Sequence, residues 1–170
     1  MKGLFKLFQK KGDPMVRLIG QSCSLCTFTP ADAKALAKLL SDNKYYWATH
    51  EPLHRDEFYT EETQYQKILE SLHMQQANRE FSFGIYDQTS KKLIGHISLY
   101  SIKRLPYASG FIGYSIDKTF IGRGIATDAV QLVLQFAFQT LNLLIPISLL
   151  LYHGFSRQSL LLLLPRPIKF

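Results

Sequence analysis

A chain of 170 residues has room for one ordinary globular domain and not for two of useful size. With 46% hydrophobic and 19% charged residues it can bury a core, which excludes an intrinsically disordered chain. The net charge of +7 is carried at the ends. Residues 1–17 hold five bases (Lys2, Lys6, Lys10, Lys11, Arg17) against Asp13, and residues 129–170 hold Arg157, Arg166 and Lys169 with no acid. The body between them has 12 residues of each sign, so a broad basic groove for nucleic acid is not expected.

Taken in chain order, Met1–Asp13 interleaves Leu4, Phe5, Leu7 and Phe8 with lysines and lacks a signal peptide's apolar run and cleavage site. It reads as a basic extension (1–14), with an amphipathic membrane-surface helix as the alternative. Cys23 and Cys26 lie in a strand-like stretch, where positions three apart face opposite sides of a sheet, and no second cysteine pair completes a zinc site. They read as reduced thiols of a cytoplasmic protein. Thr29-Pro30-Ala31-Asp32 is a helix start, followed by a stripe of Ala33, Leu36, Ala37, Leu39 and Leu40, with an expected end at Ser41-Asp42-Asn43.

Residues 44–59 (Tyr45, Tyr46, Trp47, His50, His54, Arg55, broken by Pro52) read as an aromatic loop of the kind that lines a site. A second helix starts at a Thr60 cap with Glu61 and Glu62 in its first turn, and Tyr65, Ile68, Leu69 and Leu72 recur at helical spacing. A hairpin follows, Glu80–Tyr86 and Lys92–Ser101 around a turn at 87–91, and then a strand Ser109–Ile116. A Gly-containing turn at 117–126 leads into a helix with Val130, Val133, Leu134, Ala137, Phe138 and Leu141 on one face. The order β-α-α-β-β-β-α predicts an α+β domain with a mixed, mostly antiparallel sheet flanked by helices. No stretch reaches the ~20 apolar residues of a membrane span.

The chemically pointed feature is strand, tight turn and helix with Gly122-Arg123-Gly124-Ile125-Ala126 at the junction. Small residues there let backbone N–H groups at a helix N-terminus converge on an anion. A Walker loop needs a Lys after the second glycine, and a dinucleotide fingerprint needs Gly or Ala where Thr127 stands; neither fits.

The run Gly113-Tyr114-Ser115-Ile116-Asp117 followed by 120–129 (FIGRGIATDA) resembles motif A of the GNAT acetyltransferases, most closely the ribosomal-protein alanine N-acetyltransferase group. Leu93-Ile94-Gly95-His96-Ile97-Ser98-Leu99 is similar to that group's preceding strand, and the resemblance runs from about Val16 to Leu143. It implies acetyl-CoA as co-substrate. The backbone of Ile121, Gly122, Arg123, Gly124, Ile125 and Ala126 would hold the pyrophosphate, with a possible added charge from Arg123. Main-chain groups at Tyr114, Ser115 and Ile116 would pair with the pantetheine arm, and an N–H near Ile116 would polarise the thioester. The acceptor implied is a protein N-terminus, with a small amine as the alternative; no metal, nucleic acid or membrane span is implied.

The chain departs from the family pattern in three places. Ile121 stands where Gln or Arg is usual, and Phe111 replaces a carboxylate often found early in the third strand, so no general base is assigned. His96 is a candidate by its chemistry, and Glu51 and His54 by their place in the aromatic loop. After Leu143 the family's Asn-x-x-Ser helix start, Leu-Gly-Phe turn and closing strands cannot be matched; residues 144–170 are leucine-rich and free of acids. The tail reads as the product of a disrupted reading frame, or else as a divergent strand over 144–152 beside Ser109–Ile116. The acetyltransferase-like unit is accordingly placed at 15–143, lacking the C-terminal strands. A catalytically silent CoA-binding remnant and a membrane-peripheral protein are the competing functional expectations.

Overall fold

Three consecutive strands between helices can bury their two faces only by stacking helices on both, and this is the arrangement found. The computed structural model describes residues 6–8, 15–49, 52–143 and 148–149. Strands β1 (Lys6–Phe8), β2 (Arg17–Ile19), β3 (Cys23–Thr27), β4 (Phe81–Asp87), β5 (Leu93–Lys103), β6 (Ser109–Ile116) and β7 (Ser148–Leu149) form one sheet in sequence order. All neighbours are antiparallel except β6 and β7, which are parallel. Helices α1 (Ala33–Trp47) and α2 (Glu61–Gln76) precede β4, and α3 (Ile125–Gln139) follows β6. The α+β class, the mixed and mostly antiparallel sheet and the flanking helices agree with the order read from the sequence.

Each face has its own core. Leu18, Leu25, Phe83, Ile97 and Ile112 pack against Val130, Val133 and Phe136 of α3, and Phe136 meets the rings of Phe81 and Phe83 edge-on at 5.0 and 5.9 Å. On the other face Phe28, Leu36, Leu40, Trp47 and Ile68 form a second cluster under α1 and α2. Burying side chains of this size stabilises by about 1.5–3 kcal/mol each.

Helix starts behave as their sequences require. Thr29 caps a 3-10 turn, Pro30–Asp32, that leads into α1 at Ala33, and the Asp32 carboxylate accepts the Thr29 N–H and hydroxyl, each at 2.8 Å. The Thr60 hydroxyl accepts the Thr63 N–H at 3.3 Å at the head of α2.

The end of α1 differs from expectation. The helix runs through Ser41-Asp42-Asn43 to Trp47, because Asn43 continues the buried stripe and is satisfied there: its amide donates to Leu39 O at 3.0 Å and its oxygen accepts the Lys118 N–H at 3.0 Å. Part of the expected aromatic loop is therefore helical, and Asp56–Tyr59 form a short 3-10 turn. Lys6–Phe8 of the basic extension add an edge strand to β2. Past Leu143, Ser148 and Leu149 pair with Phe111 and Ile112, within the strand offered as one alternative for the tail; residues 150–170 lie outside the described residues, as do His50 and Glu51.

Candidate functional site

The turn between β6 and α3 is shaped by two glycines. Gly122 and Gly124 have φ of +72° and +73°, a region that costs an L side chain about 1–2 kcal/mol. A Cβ added at either would find no atom within 4 Å, so the space over the turn is open. The Asp128 N–H donates to Gly124 O at 3.0 Å, making it the first amide of α3 with a partner one turn back. The amides of Ile125, Ala126 and Thr127 precede that bond and stand at the positive end of the helix, next to exposed Ile121–Gly124. The amides of residues 125–127 thus open onto the space over the turn, an arrangement of the kind that takes an anion. The Arg123 guanidinium folds back along its own loop, 4.8 Å from the Phe120 ring and donating to Thr119 O at 3.0 Å.

The second part is the outer edge of β6. The Asp117 N–H donates to Ile94 O at 2.7 Å, and the register pairs Ser115 with His96 and Ile116 with Gly95. Main-chain groups alternate in direction along a strand. Those of Ser115 and Asp117 therefore face β5, and those of Tyr114 and Ile116 face outward. Among the described residues, β7 covers that edge only at Phe111 and Ile112. The Ile116 carbonyl accepts the Trp47 Nε1–H at 2.9 Å; among the described residues the Ile116 N–H and the main chain of Tyr114 lie beyond the part of the edge that β7 covers.

Side chains that the sequence reading missed hold these parts in place. Asn43 bonds the start of the turn through Lys118, and Trp47 fixes the Ile116 peptide. Asp117 closes the turn by accepting the Thr119 N–H and hydroxyl at 2.8 and 2.7 Å. Burial would raise the Asp117 pKa, but the Thr119 bonds, with Asn43 and Lys92 nearby, outweigh it and hold the carboxyl below its ordinary value. Asp128, in the first turn of α3, accepts the Ser22 N–H and hydroxyl at 2.7 and 2.9 Å and the Cys23 N–H at 3.1 Å. Gly20 is required beside it: a Cβ there would lie 2.6 Å from an Asp128 oxygen. A buried Asn at helical spacing from Leu36, Leu39 and Leu40 was the one available signal for α1; nothing local marked Asp128, whose partners are more than 100 residues away.

On the α1/α2 side of the sheet two grooves, of about 370 and 300 Å³, are both lined by Glu80, His96 and Ser98. The smaller one reaches Tyr100, Gly113, Tyr114 and Ser115. Half-buried His96 lies edge-on to Trp47, ring centroids 5.5 Å apart. His54 is exposed and stacks on Phe58 at 3.9 Å. Phe111, in the place of the missing carboxylate, stacks on Tyr100 at 5.8 Å. Burial and then Asp128 push the Cys23 thiol well above its ordinary pKa, which disfavours its thiolate form. Among the described residues no group of three or more His, Cys, Asp or Glu could hold a metal, and no helix is long and apolar enough to cross a membrane.

Comparisons with known proteins agree with this fold. Residues 24–150 match the family model described as an acetyltransferase (GNAT) domain. The chain is 37% identical to the probable N-acetyltransferase YjcK of Bacillus subtilis over 66% of its own length and 62% of that protein's. It resembles the crystal structure of the ribosomal-protein-S5-alanine acetyltransferase of Vibrio fischeri with a TM-score of 0.71 and 29% identity, covering 75% of this chain and 70% of that one. RimJ of Mycobacterium smegmatis in complex with CoA-disulfide shares the fold alone, with a TM-score of 0.67, 17% identity and coverage of 82% of this chain and 62% of that one. The chain spans less than two thirds of the length of the curated relatives it matches. The match over most of its length, together with the amide-lined turn at the head of α3, places the chain in the GNAT acetyltransferase family.

Proposed function

We propose that the chain is a cytoplasmic, acetyl-CoA-dependent N-acetyltransferase acting on a primary amine, and that the amine is a protein N-terminus. The observation that carries the reading is an open turn of helix-terminal amides beside a strand edge that, among the described residues, β7 covers only at Phe111 and Ile112. The backbone of residues 121–126 would hold the pyrophosphate, which needs several N–H donors and space above them. Tyr114 would pair through its main chain with the amides of the pantetheine arm. The Ile116 N–H would meet the thioester carbonyl and stabilise the negative charge that develops there. Trp47, bonded to the carbonyl of the same residue, positions that strand end.

Acetyl-CoA supplies an activated acyl group. The amine nitrogen attacks its carbonyl carbon, the C–S bond breaks, and the departing thiolate takes up the proton lost by the amine, giving an acetamide and free CoA. The likeness to an S5-alanine acetyltransferase supports a ribosomal protein as acceptor; a small amine is the second choice. A silent CoA-binding module is favoured over the enzyme by one observation, the aromatic Phe111 where a carboxylate is expected.

Calorimetric titration with acetyl-CoA tests the reading, with Gly124→Trp as the control. The wild-type chain is expected to bind, and Gly124→Trp to bind at least about tenfold more weakly, since a bulky side chain enters the open space above the turn. No heat from the wild-type chain overturns the cofactor assignment. Binding without turnover on a panel of peptide and small amines selects the silent module.

A further inference from the structure

We infer that Glu80 is the anchor for the acceptor's ammonium group, and that the grooves meeting at Glu80 receive the first residues of a peptide with a free N-terminus. The inference rests on the proposed acetyl transfer, since it names where that reaction's amine enters.

Four observations carry it. Glu80 lines both grooves on the α1/α2 face, and the smaller groove extends to Gly113, Tyr114 and Ser115 of β6, the strand proposed to run beside the pantetheine arm. The carboxylate is oriented by hydroxyl donors: Ser82 at 2.9 Å and Ser71 at 3.4 Å reach the same oxygen, Oε1, and Ser98 bonds Ser82 at 2.9 Å. Among the described residues no lysine or arginine nitrogen comes within ion-pair distance of it; Lys67, which also lines the larger groove, holds its Nζ 5.2 Å from the centre of the Phe58 ring. A carboxylate held by neutral donors and without an ion pair among the described residues is matched by a primary ammonium, which offers three N–H donors and a charge.

The surroundings choose between amines. The larger groove has a polar floor at Ser82, Ser98 and His96 and an apolar wall from Phe28, Leu40 and Ile68. That pairing of surfaces suits an extended peptide, whose main chain bonds the floor while an uncharged first side chain packs on the wall. A polyamine would need further carboxylates along the groove, and Glu70 is the one other acid lining it.

The test is calorimetric titration of the full chain, with and without saturating CoA, using a short peptide with a free N-terminal alanine and its N-acetylated counterpart. The wild-type chain is expected to prefer the free amine by about tenfold or more. Glu80→Gln keeps the acceptor for Ser82 and is expected to bring the two peptides within about threefold of each other, with thermal unfolding unchanged. Ser98→Lys, which places a tethered ammonium beside Glu80, is expected to abolish the preference in the same way. Equal binding of both peptides by the wild-type chain, or a preference that survives Glu80→Gln, overturns the inference. CoA binding is read in the same titrations: no heat with CoA refutes the acetyltransferase reading, while peptide discrimination is still measured without it.

Discussion

Asp128 gathers three strong donors from the turn between β2 and β3 and so ties the first turn of α3 to a part of the chain more than 100 residues earlier. Truncating it would leave the Ser22 and Cys23 amides without their acceptor, and unsatisfied donors of this kind cost about 1–3 kcal/mol each. Asp128→Ala is expected to lower the unfolding free energy by about 2–4 kcal/mol in urea denaturation; a loss below about 0.5 kcal/mol would show that water replaces the carboxylate. Asp117 acts within its own turn. Its folded pKa lies below its unfolded one, so its contribution is present above about pH 4 and is lost as pH falls through the folded value. Stability measured from pH 6 down to pH 2 is expected to fall less steeply in Asp117→Asn than in the wild-type chain, and parallel curves would remove this assignment.

At the scale of elements, α1 does more than cover the sheet. Its C-terminal half carries Asn43 to the Lys118 amide and Trp47 to the Ile116 carbonyl, joining one helix to both the turn and the strand edge of the candidate site. Asn43→Ala is expected to cost about 1–3 kcal/mol by orphaning the Lys118 N–H. It should also weaken acetyl-CoA binding while Gly122 and Gly124 are intact; unchanged affinity in calorimetry would confine Asn43 to a structural role. The sequence suggested that α1 ends at this residue because Asn is a poor helix former and Ser-Asp-Asn reads as a stop. Tertiary hydrogen bonding overrides that preference. The starts of α1 and α2, the hairpin β4–β5 and the exact span of β6 were legible, because capping, turn chemistry and apolar alternation act between near neighbours.

For the whole molecule, the sheet separates two cores that react differently. Cys23 faces the α3 core and is buried, whereas Cys26, three residues along the same strand, is half-buried. With the folded chain, a thiol reagent is therefore expected to modify Cys26 and spare Cys23, and both should react in denaturant. Equal protection of the two, or rapid labelling of Cys23, would contradict the placement of β3.

What the sequence determined by itself is local or repeats along the chain: the element order, the stripes that each helix buries, and the Gly-x-Gly turn at a helix head that resembles motif A. Each follows from residues within a few positions of one another. Tertiary structure alone decided that Asp128 meets Ser22, that Asn43 is core and not cap, which main-chain groups of 114–116 face the open edge, and that Glu80 lies where two grooves meet. These depend on strand register and on contacts between distant segments, and a one-residue change of register would send every such group to the other side.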